Sequence, residues 1–177
     1  WCHLGDEGAA ALAVVEALPP GVVEELELPG IGEACAAVLG RSLGEGGRLS
    51  RLRRLAVASA GFGQNDGPAA RAFFEALVGA DGPAAARALR ALEWGAWDNV
   101  MPQSTLDAAA LAMPRLPALA RLGLGRGPCD SGWAAFVKEL IQARRRVRLA
   151  VYTQGGLLEL PPVHAAALVL PAAELRR

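Results

Sequence analysis

The residues Leu52-Arg53-Arg54-Leu55-Ala56-Val57 decide the fold, because their pattern recurs along the chain. The pattern has apolar residues at the first and sixth positions, Leu at the fourth position, and variable residues at the other three. The same pattern returns at 23–28 (VEELEL), 89–94 (LRALEW) and 119–124 (LARLGL), and a fifth version at 146–151 (RVRLAV) begins with Arg. The fourth-position leucines, at 26, 55, 92, 122 and 149, lie 27 to 37 residues apart. Recurrence at such intervals is typical of stacked structural units.

The segments themselves predict strands, and the stretches between them predict helices. Each segment alternates polar and apolar residues, as a half-buried strand does. Apolar residues in the intervening stretches recur with helical spacing, most clearly from Trp133 to Ile141. Alternating helices and strands predict one parallel sheet, with strands near 23–28, 53–57, 90–94, 120–124 and 147–151 in sequence order. Within these strands, Leu55, Leu92, Leu122 and Trp94 are predicted to point into the core.

The polarity of the strands separates two α/β architectures. A doubly wound sheet is covered by helices on both faces, so its strands are apolar throughout. Here Glu24, Glu25 and Glu27 lie in the first strand, and Arg53 and Arg54 lie in the second. One face of the sheet must therefore contact water, which favours a solenoid with helices on one side only and disfavours an α/β enzyme.

Composition limits the classes of protein that the chain can belong to. Among 177 residues, 53% are hydrophobic, and 18 basic residues balance 18 acidic ones. A neutral chain is not expected to bind nucleic acid or a membrane surface through a general positive charge. No signal peptide or membrane-spanning run is visible, so we expect an intracellular, cytoplasmic protein, and we interpret the chain as a fragment of a longer one. The three cysteines are widely spaced, which predicts reduced thiols and no zinc site.

The sequence from Cys2 to Ala13 (CHLGDEGAAALA) resembles the turn and helix of a leucine-rich repeat of the ribonuclease-inhibitor type. Cys2 stands at the position that Asn or Cys occupies in those repeats. Ile31-Gly32-Glu33-Ala34 and Phe62-Gly63 are similar but less complete matches, and the segment 97–102 (WDNVMP) departs from the pattern. The resemblance implies a solenoid of five to six repeats, with a curved parallel sheet on the concave side and helices on the convex side.

The resemblance covers residues 1–156 and extends to the whole chain if a sixth copy is present. Leu160-Pro161-Pro162-Val163 leads into Leu168-Val169-Leu170, much as Leu18-Pro19-Pro20-Gly21 leads into the first strand. We therefore interpret residues 1–177 as one leucine-rich-repeat domain, in which 157–177 is a truncated last repeat or a cap.

The motifs that could support catalysis are weak. Gly123-Leu124-Gly125-Arg126-Gly127 follows a predicted strand, but Pro128 breaks the spacing of a dinucleotide-binding loop. His3 and His164 have no nucleophile or carboxylate partner in any recognisable pattern. The sequence predicts no catalytic residue, cofactor, metal ion or small-molecule substrate.

The predicted function is non-enzymatic binding of another protein through the concave sheet face. Third, fifth and seventh positions, counted from the first residue of each segment, point away from the core. Those offering charge or an aromatic ring are Glu25, Glu27, Arg54, Glu93, Arg121, Arg148 and Tyr152. One alternative is a GTPase-activating or GTPase-regulating repeat protein, and another is a structural scaffold segment of a large assembly. A further alternative is a docking patch for an acidic partner on the basic run of Arg144, Arg145, Arg146 and Arg148.

Overall fold

The computed structural model describes residues 8–28, 30–57, 67–79, 85–95, 101–124, 148–153 and 156–159. Four helices and six strands lie in these ranges: α1 (Gly8–Ala17), β1 (Glu25–Leu28), α2 (Glu33–Ser42), β2 (Arg54–Val57), α3 (Gly67–Val78), β3 (Ala91–Trp94), α4 (Gln103–Ala112), β4 (Arg121–Leu124), β5 (Arg148–Thr153) and β6 (Gly156–Glu159). A short 3₁₀ turn at Met113–Arg115 follows α4. The expected helix around Trp133 lies outside the described residues.

The six strands form one sheet in the order β1-β2-β3-β4-β5-β6. The first five are parallel, as the sequence predicted, and their fourth-position leucines align as Leu26–Leu55–Leu92–Leu122–Leu149. Strand β6 is antiparallel to β5, because the two residues between Thr153 and Gly156 are too few for a helical return. The sixth copy expected at Leu168 lies outside the described residues.

One hydrophobic core joins the strands to the helices. Leu55, Leu92 and Leu122 are fully buried, and Trp94 is buried beside them, so the expected core positions are confirmed. Leu26 is only half-buried, since β1 lies at the edge of the sheet. The ring of Phe73 in α3 lies 5.0 Å from that of Trp94, centroid to centroid. Burying side chains of this size provides most of the driving force for folding.

Two apolar residues spaced three apart precede each of β2, β3 and β4 and anchor the entry to the strand. The pairs are Leu49 and Leu52, Ala86 and Leu89, and Leu116 and Leu119, all of which are buried. The amide of Leu52 donates a hydrogen bond to the carbonyl of Leu49, and the amide of Leu119 does the same to Leu116. These turns help to fix where β2 and β4 begin, and hence which of their residues face the core.

Consecutive helices contact one another as well as the strands. Residues of α2, α3 and α4 enter the same core cluster as the strand leucines. Gly40 of α2 lies so close to α3 that a Cβ atom there would be 2.7 Å from the carbonyl oxygen of Phe73. The hydroxyl of Thr105, at the start of α4, donates a hydrogen bond of 3.0 Å to the carbonyl of Gly67, at the start of α3. The helices are thus held at a fixed offset from one another.

Within the part of the chain that the structure describes, no helix is long and apolar enough to cross a membrane.

Candidate protein-binding face

Two rows of residues cross the sheet on the side opposite the core, and together they form what we call the charged sheet face. The first row is Glu25–Arg54–Ala91–Arg121–Arg148, and the second is Glu27–Ala56–Glu93–Gly123–Ala150. Successive side chains of a strand point to opposite sides of the sheet, so both rows share one side. None of the described side chains in these rows belongs to the core cluster. The register therefore brings together six of the seven predicted binding residues, from Glu25 to Arg148.

Ion pairs connect the middle of this face from strand to strand. A guanidinium nitrogen of Arg54 lies 3.3 Å from one carboxylate oxygen of Glu93, and a nitrogen of Arg121 lies 3.3 Å from the other. Arg54 also lies 3.9 Å from a carboxylate oxygen of Glu27. Each of these ion pairs joins side chains on two adjacent strands, so the charges form a continuous network from β1 to β4.

Glu93 differs from its expected environment. The sequence placed it on a solvated surface, but only 10% of its side chain is exposed, and it is buried. Arg54 and Arg121, on the strands to either side, cover the carboxylate, and the neighbours in its own row are Ala56 and Gly123. A carboxylate can be buried at little cost only when it is paired in this way.

Small residues give the face a shallow floor. Ala56 and Gly123 flank Glu93 in the second row, and Ala91 separates Arg54 from Arg121 in the first. A Cβ atom at Gly123 would lie 3.4 Å from Cγ of Glu93, which is ordinary van der Waals contact. Ala56 and Gly123 are buried, whereas Ala91 is half-buried and is the more accessible part of this floor.

The two ends of the face carry opposite charges. Glu25 and Glu27 are exposed on β1, and the side chain of Glu27 is 66% exposed. At the other end, Arg148 of β5 aligns with Arg121 of β4. Tyr152, the seventh predicted residue, follows in β5 opposite Leu157 of β6. Glu25 makes no ion pair with the described residues.

Sequence reasoning named the charged residues of this face but missed their pairing. It also missed a separate ion pair, in which Arg53 lies 3.4 Å from Glu24 at the entrance to β2. Glu93 is 39 residues from Arg54 in the chain, so proximity along the sequence gives no signal. Aligning the segments on their fourth-position leucines does reveal the pairing, because it places Arg54, Glu93 and Arg121 on adjacent strands.

The other motifs of the sequence lie mostly outside the described residues. Among the described residues, no group of three or more His, Cys, Asp or Glu side chains could hold a metal ion. The features outside the described residues are residues 125–127 of the glycine loop, both histidines, Arg144–Arg146 and the first residues of the sequence that begins at Cys2.

Comparison of the chain with protein-family models, with curated proteins and with solved structures gives no match.

Proposed function

We propose that the chain is a leucine-rich-repeat solenoid that binds another protein through the charged sheet face. The observation that carries the proposal is the pair of rows across five parallel strands. In β1 to β4 they present charged and small side chains, while the alternate positions of these four strands lie in the core or pack against it. Residues that the core does not need, and that a rigid sheet holds in fixed order, are suited to recognition.

The solenoid part of the proposal is supported by the order of the strands and by the helices that link them. Parallel strands in strict sequence order, with equivalent leucines in register, arise when similar units stack on their neighbours. The buried residues of α2, α3 and α4 join one cluster with the inward side chains of the strands. The helices lie on the core side of the sheet and the charged residues on the other side, which is the arrangement that the resemblance at residues 2–13 implies.

The composition of the face supports protein binding of moderate strength. Arginine is enriched in protein interfaces, whereas aromatic anchors dominate the tightest ones. The two rows of the face offer Arg54, Arg121 and Arg148 but no aromatic residue, and Tyr152 lies beyond them in β5. Since the central charges already pair with one another, a partner must bring its own charges to the ends or apolar groups to the floor.

A matched pair of substitutions tests this proposal. Ala91→Trp fills the floor of the charged sheet face, whereas Ala37→Trp adds the same bulk to α2, and both alanines are half-buried. Proteins that become cross-linked to the wild-type chain should no longer be captured by the Ala91→Trp variant but should still be captured by the Ala37→Trp variant. Circular dichroism should show that both variants are folded. Retention with Ala91→Trp, or loss with Ala37→Trp alone, would place the binding surface elsewhere. If a small GTPase is captured, a GTP-hydrolysis assay tests the regulatory alternative.

A further inference from the structure

The charges of the face are separated along the direction that crosses the strands. Within the two rows, β1 contributes two glutamates, whereas β2 to β5 contribute three arginines and one glutamate. The face is therefore neutral as a whole, with an acidic end at β1 and a basic end at β4 and β5. Opposite charges at two ends fix the orientation of a bound partner more than they raise its affinity.

We infer that the charged sheet face selects an extended peptide segment of a partner protein, lying across the strands, with a basic side chain over β1 and an acidic side chain over β4 and β5. This inference rests on the proposed function and adds the chemistry of the partner. It names Glu25 and Glu27 as the contacts for the basic group, and Arg121 and Arg148 as those for the acidic group.

The central ion pairs leave the ends of the face to discriminate between partners. Glu93 pairs with Arg54 and Arg121 and is almost fully covered, so a ligand cation reaches it only by displacing an arginine. Glu25 and Glu27, in contrast, are exposed. Glu93 also holds the guanidinium of Arg121 in place, which lowers the entropy that the arginine loses when it binds a carboxylate.

The dimensions of the sheet set the spacing of the two charged groups in the partner. Neighbouring strands lie about 4.8 Å apart, so β1 and β5 are separated by roughly 19 Å. An extended chain advances about 3.3 Å per residue, so about six residues cover this distance. Because side chains of an extended chain alternate sides, an even separation lets both charged groups point at the sheet. Ala91, which is half-buried between Arg54 and Arg121 in the first row, leaves room for the peptide backbone between them.

Selection from a random dodecapeptide display library on the full chain tests the inference without a known partner. The wild-type protein should enrich peptides in which a Lys or Arg and an Asp or Glu are about six residues apart. A photo-cross-linker beside the acidic residue of a selected peptide should label β4 or β5, and one beside the basic residue should label β1. Ala91→Trp should abolish binding of the same peptides.

A charge exchange confined to the ends supplies the decisive comparison. Glu25→Arg with Arg148→Glu keeps the net charge at zero and leaves the Arg54–Glu93–Arg121 network intact. The selected peptides should bind this double variant on the order of tenfold more weakly, since both exposed charge pairs become repulsive. The matched control is Glu33→Arg with Arg41→Glu, an exchange between two exposed residues of α2, which should leave binding unchanged.

The outcomes separate the inference from the function on which it rests. The inference is overturned, and the proposed function is not, by two results. In one, the selected peptides lose binding with Ala91→Trp but carry no pair of opposite charges. In the other, they bind the double variant as well as the wild type. A library that yields no binder, or only binders insensitive to Ala91→Trp, counts against both.

Discussion

Replacing Glu93 by alanine removes the carboxylate that joins Arg54 to Arg121. Both contacts measure 3.3 Å, but the two arginine side chains are 37% and 34% exposed. Solvent therefore screens each pair, and each is worth about 0.5–1 kcal/mol rather than the value of a fully buried bridge. We expect the free energy of unfolding to fall by about 1–2 kcal/mol. For a chain of this size, that change lowers the melting temperature by about 2–8 °C.

Urea denaturation followed by circular dichroism measures the loss, and a double-mutant cycle separates the pair from the packing. Arg54→Ala, Glu93→Ala and the double variant should give a coupling energy of about 0.5–1 kcal/mol. Glu25→Ala is the control, since Glu25 is exposed in the same face and should cost less than about 0.5 kcal/mol. A coupling energy of zero, or equal losses for Glu93→Ala and Glu25→Ala, would refute the argument that this network stabilises the sheet.

Two further substitutions and one labelling reaction test the packing of the core behind the charged sheet face. Leu92→Ala should cost about 2–5 kcal/mol in the same denaturation assay, because Leu92 is fully buried; a loss below about 1 kcal/mol would contradict its inward orientation. Gly40→Ala should cost about 1–3 kcal/mol, since the new methyl group would overlap the carbonyl of Phe73 unless α2 and α3 separate, and an unchanged melting temperature would refute this close approach. Cys35 should react with iodoacetamide far more slowly in the folded protein than in urea, because burial shields the thiol and raises its pKa; equal rates, read by peptide mass mapping, would show that its site is open.

The strands and their facing could be predicted because one short pattern contains both. The leucine at the fourth position of each segment fixes the register, and period-two alternation then assigns every other residue to the core or to the opposite side. Leu55, Leu92 and Trp94 lie where this reasoning placed them. What followed β5 could not be predicted in the same way, because β6 carries no copy of the pattern and its direction depends on the number of residues that separate it from β5.

The burial of Glu93 escaped prediction for a different reason. Alternation says which side of the sheet a residue faces, but its exposure depends on what the neighbouring strands carry at the same level. Between Ala56 and Gly123 the carboxylate can lie low on the sheet, and Arg54 and Arg121 then close over it. Three residues that look solvated one at a time thus become a partly dehydrated cluster once they are adjacent.

This cluster also bears on how the register of the sheet is specified. A slip of one residue in β3 would carry Glu93 to the core side of the sheet and bring Leu92 out of the core, because side chains alternate with every residue. The carboxylate would then lose both arginines and enter an apolar environment, where an unpaired charge costs several kcal/mol. The apolar rows favour the correct pairing, and the charged row penalises the nearest incorrect one. Glu93 can therefore contribute modestly to the free energy of unfolding and still matter for the uniqueness of the fold.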